Sequence, residues 1–417
     1  MSKRFWLLGF VGLIAVALLV ACGSKYNSSS NGLVLVGSQG SNVIQAFSFN
    51  LNSGHAASIG NSPSTDSQPT SIVMDVTGSY AYVILNSIPA SLAIYKVDSG
   101  GKLTQTGNPL AFNPTAQADV VPSMLARDAA GKFLFTANRS TTDSLGNPAP
   151  GSISVFSIGG GTLTEVPGSP FSTPATASPV DIISVAATPT VFPGTGINGT
   201  QNSVCSAGTN PPTSEYLYAV DHVGAQVFQF QVDTSSGALI TPPNTTVAPS
   251  FTTDAQPEGI AVDPCDRFVY VSGSLHNKID AYTICTVVVQ GRCPFGNGAL
   301  VEISGSPISA AGSANGLGPI VVDPYGNDVY VVGTLSNTVS GFKISPVTGS
   351  LTPLSPATVA TGSQPKAITI RADNNWMFVS NFGSASVSQY SITPATGALS
   401  VLPTLQTENS PFGVAVK

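Results

Sequence analysis

Seven short segments share one hydropathy signature: an apolar, aromatic-rich run closed by small polar residues. They are Leu33–Ser38, Tyr80–Asn86, Phe133–Arg139, Tyr216–His222, Phe268–Ser274, Val329–Thr334 and Trp376–Phe382. β-Branched and aromatic residues in runs of this length predict strands. The runs are apolar on both faces, as expected of sheets covered on both sides by neighbouring sheets. A second apolar segment precedes each run after the first, starting near Pro69, Pro122, Pro179, Pro257, Pro319 and Pro365, and a further copy starts near Pro411. The unit recurs at roughly fifty residues, a period that points to repeated supersecondary units. One interval, from Pro179 to Pro257, is longer because it holds a loop at about Thr190 to Thr213.

The unit around Pro257 predicts four strands, a to d: Gly259–Asp263, Phe268–Val271, Ile279–Thr283 and Ala299–Ile303. A repeat made only of strands predicts a β-propeller of four-stranded antiparallel blades. The first unit starts directly with strand b at Leu33, and Pro411–Lys417 is a strand a with nothing after it. The C-terminal strand is therefore expected to complete the first blade, giving seven blades in a closed ring without exposed sheet edges. Residues 33–417 form one all-β domain on this reading, and no helical periodicity follows the N-terminal leader.

The leader changes the picture of where the chain resides. Lys3 and Arg4 precede an apolar run, Leu7 to Val20, that is short for a membrane span. It ends in Leu19-Val20-Ala21-Cys22, which resembles the bacterial lipobox. That resemblance implies cleavage after residue 21, a lipid on the Cys22 thiol, and, with Gly23 next, an outer-membrane address. A plain signal peptide or an anchor helix is the alternative. Residues 22–32 then read as a flexible polar tether.

The formal net charge is −6, and no basic stripe is present to meet phosphates, which excludes a nucleic-acid partner. The expected partners are the membrane, through the lipid, and a small molecule, glycan or protein; a monomer is expected. Cys205, Cys265, Cys285 and Cys293 make an even set, which in an exported chain favours disulfides. Three pairings are possible. Cys285 and Cys293 flank a short excursion and suit a local bridge, which leaves Cys205 and Cys265 to pair across blades. No CxxC pair supports zinc, and no metal or other cofactor is expected. Asp75, Asp128, Asp263, Asp323 and Asp373 recur after strand a. One carboxylate per unit suits turn capping better than calcium binding.

The stretches VDPCDRFVYVSGS, VDPYGNDVYVVGTLSNTVSGFKISPVTGSLTPL and RADNNWMFVSNFGSASVSQYSITPATGALSVL resemble the lactonase-type seven-bladed propellers, which include 6-phosphogluconolactonase-like enzymes and shade into YVTN-repeat proteins. Tryptophan–aspartate repeats are absent. The resemblance implies an Arg, a His and a Glu at the mouth of the central channel. Where the family writes Pro-Arg-His this chain has Pro257-Glu258-Gly259, and where it writes Asn-Glu-Leu this chain has Gly273-Ser274-Leu275. The cation and carboxylate of the enzymes are thus expected to be missing. A ligand- or protein-binding scaffold is the first reading; a lactone hydrolase is the alternative.

The d–a and b–c loops of a propeller share the face of the ligand mouth. Polar candidates there are Asn86, Asn138, Arg139, Asp181, Asp221, His222, Glu258, His276, Lys366 and Asn381. His222 and His276, with Asp221 and Glu258, could form a carboxylate–imidazole general base. Arg139, Asp181, Lys366 and Asn381 would bind ligand.

Overall fold

The structure, a computed structural model, describes residues 31–112, 120–142, 148–173, 180–188, 214–241, 250–285, 297–312 and 314–417. The leader, most of the tether, the loop at 190–213, Cys22, Cys205 and Cys293 lie outside them.

Seven four-stranded antiparallel sheets make a seven-bladed propeller. Strand a of blades two to seven spans Gln68–Met74, Val121–Arg127, Ile182–Ala187, Pro257–Val262, Leu317–Val322 and Pro365–Ile370. Strand b of blades one to seven spans Asn31–Ser38, Tyr80–Asn86, Phe133–Arg139, Glu215–Asp221, Phe268–Gly273, Asp328–Gly333 and Trp376–Asn381. The C-terminal strand Pro411–Val416 is strand a of blade one. It pairs antiparallel with the first strand, Val34 opposite Val416 and Val36 opposite Val414. Helix among the described residues is limited to two single turns, Gln39–Ser41 and Phe382–Ser384.

The seven apolar runs are buried because each strand b is sandwiched between adjacent blades. Its alternate side chains therefore enter different cores. In blade one, Leu33 and Leu35 pack with Ala81 and Val83 of blade two, while Val34 and Val36 pack with Phe378 of blade seven.

The aromatic residues of the repeat form the blade junctions. An aromatic residue at the start of strand b packs against the glycine of the next blade's c–d turn, as Phe268 does on Gly349 and Tyr216 on Gly298. Gly349 adopts φ +73°, and a Cβ there would come within 2.5 Å of the Phe268 ring. The tyrosine two residues along strand b donates its hydroxyl to the same glycine. Tyr270 Oη reaches the Gly349 carbonyl at 2.9 Å and Tyr330 Oη reaches Gly397 at 2.7 Å. Blade-to-blade stacking is thus written into an aromatic–x–aromatic strand and a Gly-containing turn.

The recurrent aspartates cap the a–b turns. Asp75 Oδ1 accepts the amides of Ser79 and Tyr80, at 2.6 and 2.8 Å. Asp128 accepts from Phe133, Asp263 from Arg267, Asp323 from Asn327 and Asp373 from Asn375. Cys265 and Cys285 are buried and neither is a free thiol.

Candidate functional site

The inner strands of the seven blades surround a channel. Its upper mouth, on the side of the b–c and d–a loops, is a cavity of about 680 Å³. Two register positions supply its ionisable side chains. The first is a β-bulge near the start of strand a. Pairing skips one residue there, so the bulged side chain is turned out of the alternation and into the cavity. Ser123, Ile183, Glu258 and Lys366 occupy this position in blades three, four, five and seven. The second is where strand b ends or has just ended, held by Arg139, His222, Ser274 and Thr334 in blades three to six.

Four ionisable groups come together where these rings meet. His222 Nδ1 lies 3.1 Å from the Pro257 carbonyl oxygen and 3.6 Å from Glu258 Oε1. A carbonyl oxygen only accepts, so Nδ1 carries the proton and the neutral ring keeps Nε2 as its basic nitrogen. Ser274 Oγ lies 3.1 Å from the Gln256 carbonyl oxygen and 3.4 Å from Glu258 Oε1, so its one proton is shared between these two acceptors. Burial pushes the Glu258 carboxyl above its ordinary value, against the opposing pull of His222, Ser274, Arg139 and Lys366. Arg139 grips Asp181 with two contacts, Nε to Oδ1 at 3.2 Å and Nη2 to Oδ2 at 2.6 Å. The hydrogen bond to Asp181 holds the Arg139 guanidinium above its usual range. Burial works to raise the Asp181 carboxyl, yet the bonds from Arg139 and the Ser140 amide outweigh it and leave the carboxyl low.

Glu258, Arg139 and Lys366, expected at this mouth from the sequence, all line the cavity, although the enzymes' own Arg and Glu positions are substituted. Glu258 supplies the carboxylate from the bulge position, and Arg139 and Lys366 supply cations from blades three and seven. The Ser274 hydroxyl meets Glu258, so the two substituted positions remain partners.

Other candidates are placed elsewhere. Asp221 is fully buried and does not line the cavity. It accepts from the Asp181 and Gly224 amides and from Gln226 Nε2, at 2.9, 3.1 and 3.0 Å. Asn381 holds the equivalent position in blade seven and donates to Ser386 and Ser388; Asn138 does the same in blade three, toward Ser152 and Ser154. Asn138 and Asn381 tie the end of strand b to strand c, and Arg139 and His222, which follow Asn138 and Asp221, line the cavity. Asn86 ends its strand b exposed, away from the cavity lining. His276 pairs with Asp254 at 2.8 Å on the outer rim and is 55% exposed, away from His222's cavity. Among the described residues no group of three or more His, Cys, Asp or Glu could hold a metal. Ser123, Ser274 and Thr334 were not singled out as site residues, because serine and threonine are common throughout the chain and only register marks these three.

Residues 296–416 match the family described as lactonase, seven-bladed β-propeller. None of the curated proteins matches the chain. Among solved structures, a candidate 6-phosphogluconolactonase of Bacteroides fragilis aligns with TM-score 0.68 at 20% identity, over 94% of this chain and 100% of its own. A Lactobacillus plantarum protein aligns with TM-score 0.69 at 17% identity, over 93% and 99%. The periplasmic gluconolactonase of Pseudomonas aeruginosa aligns with TM-score 0.66 at 17% identity, over 93% and 99%. At these identities the likeness is one of fold, and the fold is that of the lactonase-type propellers.

Proposed function

We propose that this lactonase-type propeller hydrolyses a lactone bearing an anionic group at its upper mouth. The observation that carries the reading is the convergence of His222, Glu258, Arg139 and Lys366 on one cavity. His222 is the general base. Its Nε2 takes a proton from water as the water oxygen attacks the lactone carbonyl carbon. Glu258, beside Nδ1, stabilises the imidazolium so formed. The tetrahedral oxyanion then collapses, the ring C–O bond breaks, and the imidazolium returns its proton to the leaving alkoxide. The product is the open hydroxy acid. Lys366 and Arg139 hold the substrate's anionic group, and Ser274 positions Glu258.

The test is turnover of a lactone panel by the purified protein. His222→Ala is expected to lower kcat by about 10²–10⁴-fold. Lys366→Ala is expected to raise KM for anionic lactones while sparing neutral ones. Glu258 must be ionised to assist, and its pKa is raised. Activity should therefore fail on acidification earlier than an ordinary carboxylate would dictate; Glu258→Gln should remove only the carboxylate's share of that acid limb, since His222 must still be neutral to act as base. A binding role without turnover is the second reading, favoured by the two-point tie of Arg139 to Asp181, which leaves that cation partly spent. No turnover on any lactone would select it.

The resemblance to lipoproteins supports attachment to the bacterial envelope through Cys22. Labelled palmitate incorporation abolished by Cys22→Ser would bear this out, and unchanged labelling would sink it. Cysteines 265 and 285 are engaged. The pairing we favour joins Cys285 to Cys293 and Cys205 to Cys265. Peptide mapping without reductant decides it.

A further inference from the structure

The channel has a second mouth. On the face of the a–b turns, about 410 Å³ of space is enclosed by the ends of strand a from blades one, two, three and seven. Arg127, Arg371 and Lys417 line it, and among the described residues Asp75 is the one acidic side chain in its wall. Val73, Met74, Val414 and Val416 make the rest of the lining largely apolar.

The charges there are unevenly matched. Asp75 is committed to its own turn: Oδ1 accepts the amides of Ser79 and Tyr80, and Oδ2 accepts Thr77 Oγ1 at 2.6 Å. Arg127 spends its donors on neutral acceptors, Nε on the Met74 carbonyl at 3.1 Å and Nη1 on the Asp128 carbonyl at 2.7 Å. It makes no ion pair among the described residues, and burial lowers its pKa, the signature of a cation short of compensation. Arg371 pairs through Nη1 with Asp373, yet its Nε is buried without a hydrogen-bond partner among the described residues.

We infer that the lower mouth binds a phosphate group, whether of a free phosphorylated small molecule or of a lipid headgroup, with Arg127, Arg371 and Lys417 as its ligands. Two planar guanidinium forks and an ammonium on one cavity suit an oxyanion with several oxygens. Asp75, Asp373 and Asp128 are the acids near them. Each already serves a turn amide or Arg371, so the incoming anion does not displace an ion pair of Arg127 or Lys417. The site lies at the opposite end of the channel from His222 and stands apart from the hydrolase reading.

The test is binding of inorganic phosphate, followed by calorimetry, and of phosphatidylglycerol vesicles, followed by co-sedimentation. Arg371→Gln and Lys417→Gln are each expected to weaken binding about tenfold, the usual worth of one charge-assisted contact. Their melting without phosphate reports whether they fold, and Arg127→Lys keeps the charge should Arg127→Gln not fold. Lys366→Gln at the upper mouth should leave the Arg371-dependent part of phosphate binding unchanged. Binding of either probe that depends on Arg371 supports the site, and which probe binds identifies the source of the phosphate. Binding of neither probe, or binding lost in Lys366→Gln but retained in Arg371→Gln, overturns it. Lactone turnover in Arg371→Gln is read separately, so failure at one mouth is distinguishable from failure at the other.

Discussion

Glu215 opens the strand b of the fourth blade and is only 1% exposed. Its Oε1 has no hydrogen-bond partner among the described residues, and Asp128, also buried, acts on it across the blade junction. Burial first, and Asp128 second, push the Glu215 carboxyl up to about 8, with Lys132 opposing. The folded state thus favours the protonated form. The stability this contributes is complete below the unfolded value near 4.5 and is lost as pH rises through about 8. Glu215→Gln, which cannot ionise, should therefore stabilise the protein by roughly 1–3 kcal/mol at alkaline pH and change little in mild acid. Denaturant melts at the two pH values check it, and a gain that is the same at both would refute the mechanism. Nothing in the sequence marks Glu215, which reads as a polar residue at the edge of an apolar run. Asp221 and His222 show the complementary difficulty. Both were legible as polar residues closing a strand. Which one is pinned inward and which faces the cavity depends on the turn that follows, and that is set in three dimensions.

Strand order and closure were legible because an apolar run buried on both faces has few alternatives. The C-terminal strand is the strongest case. Pro411–Val416 supplies the whole inner edge of blade one, and without it Asn31–Ser38 would lose a ladder and expose Val34 and Val36. Deleting residues 411–417 should lower the melting temperature by roughly 10 °C or more, since it opens the ring and bares a strand edge. A synthetic peptide of those residues should restore part of the loss; an unchanged melt would reject closure by this strand. The blade junction gives a sharper local test. Gly349→Val places a branched side chain at φ +73° and against Phe268, so a destabilisation of about 1–3 kcal/mol is expected in denaturant melts. What sequence could not disclose is the bulge at the start of strand a. It adds no residue that composition or periodicity would flag, yet it alone turns Glu258 and Lys366 toward the axis. The substituted positions consequently read as a lost site, although one of them, Glu258, supplies a carboxylate and blades three and seven supply the cations.

An acidic chain has placed five of its fifteen Lys and Arg residues around the two ends of one channel: Arg139 and Lys366 above, Arg127, Arg371 and Lys417 below. The acids beside them are Asp181, Glu258, Asp75, Asp128 and Asp373, so five cations meet five acids and the axis is close to balanced in a molecule whose net charge is −6. Low-dielectric walls concentrate the field of such charges along the opening, while the outer surface repels anions at longer range. The two effects differ in their response to salt. Repulsion from the exposed surface is screened within a Debye length of about 8 Å at physiological ionic strength, whereas partly buried charges are screened far less. Moderate salt should therefore leave anion binding at either mouth largely intact, and only higher salt should weaken it. A protein that captured anions on exposed lysines would lose affinity steeply from the first additions. The measurement is the affinity of an anionic lactone for the upper mouth and of phosphate for the lower one across an ionic-strength series, with a neutral lactone as the reference. A shallow initial dependence for both anions, absent for the neutral ligand, is the expected result. A steep loss at low salt would place the binding on the outer surface and remove the channel from the account.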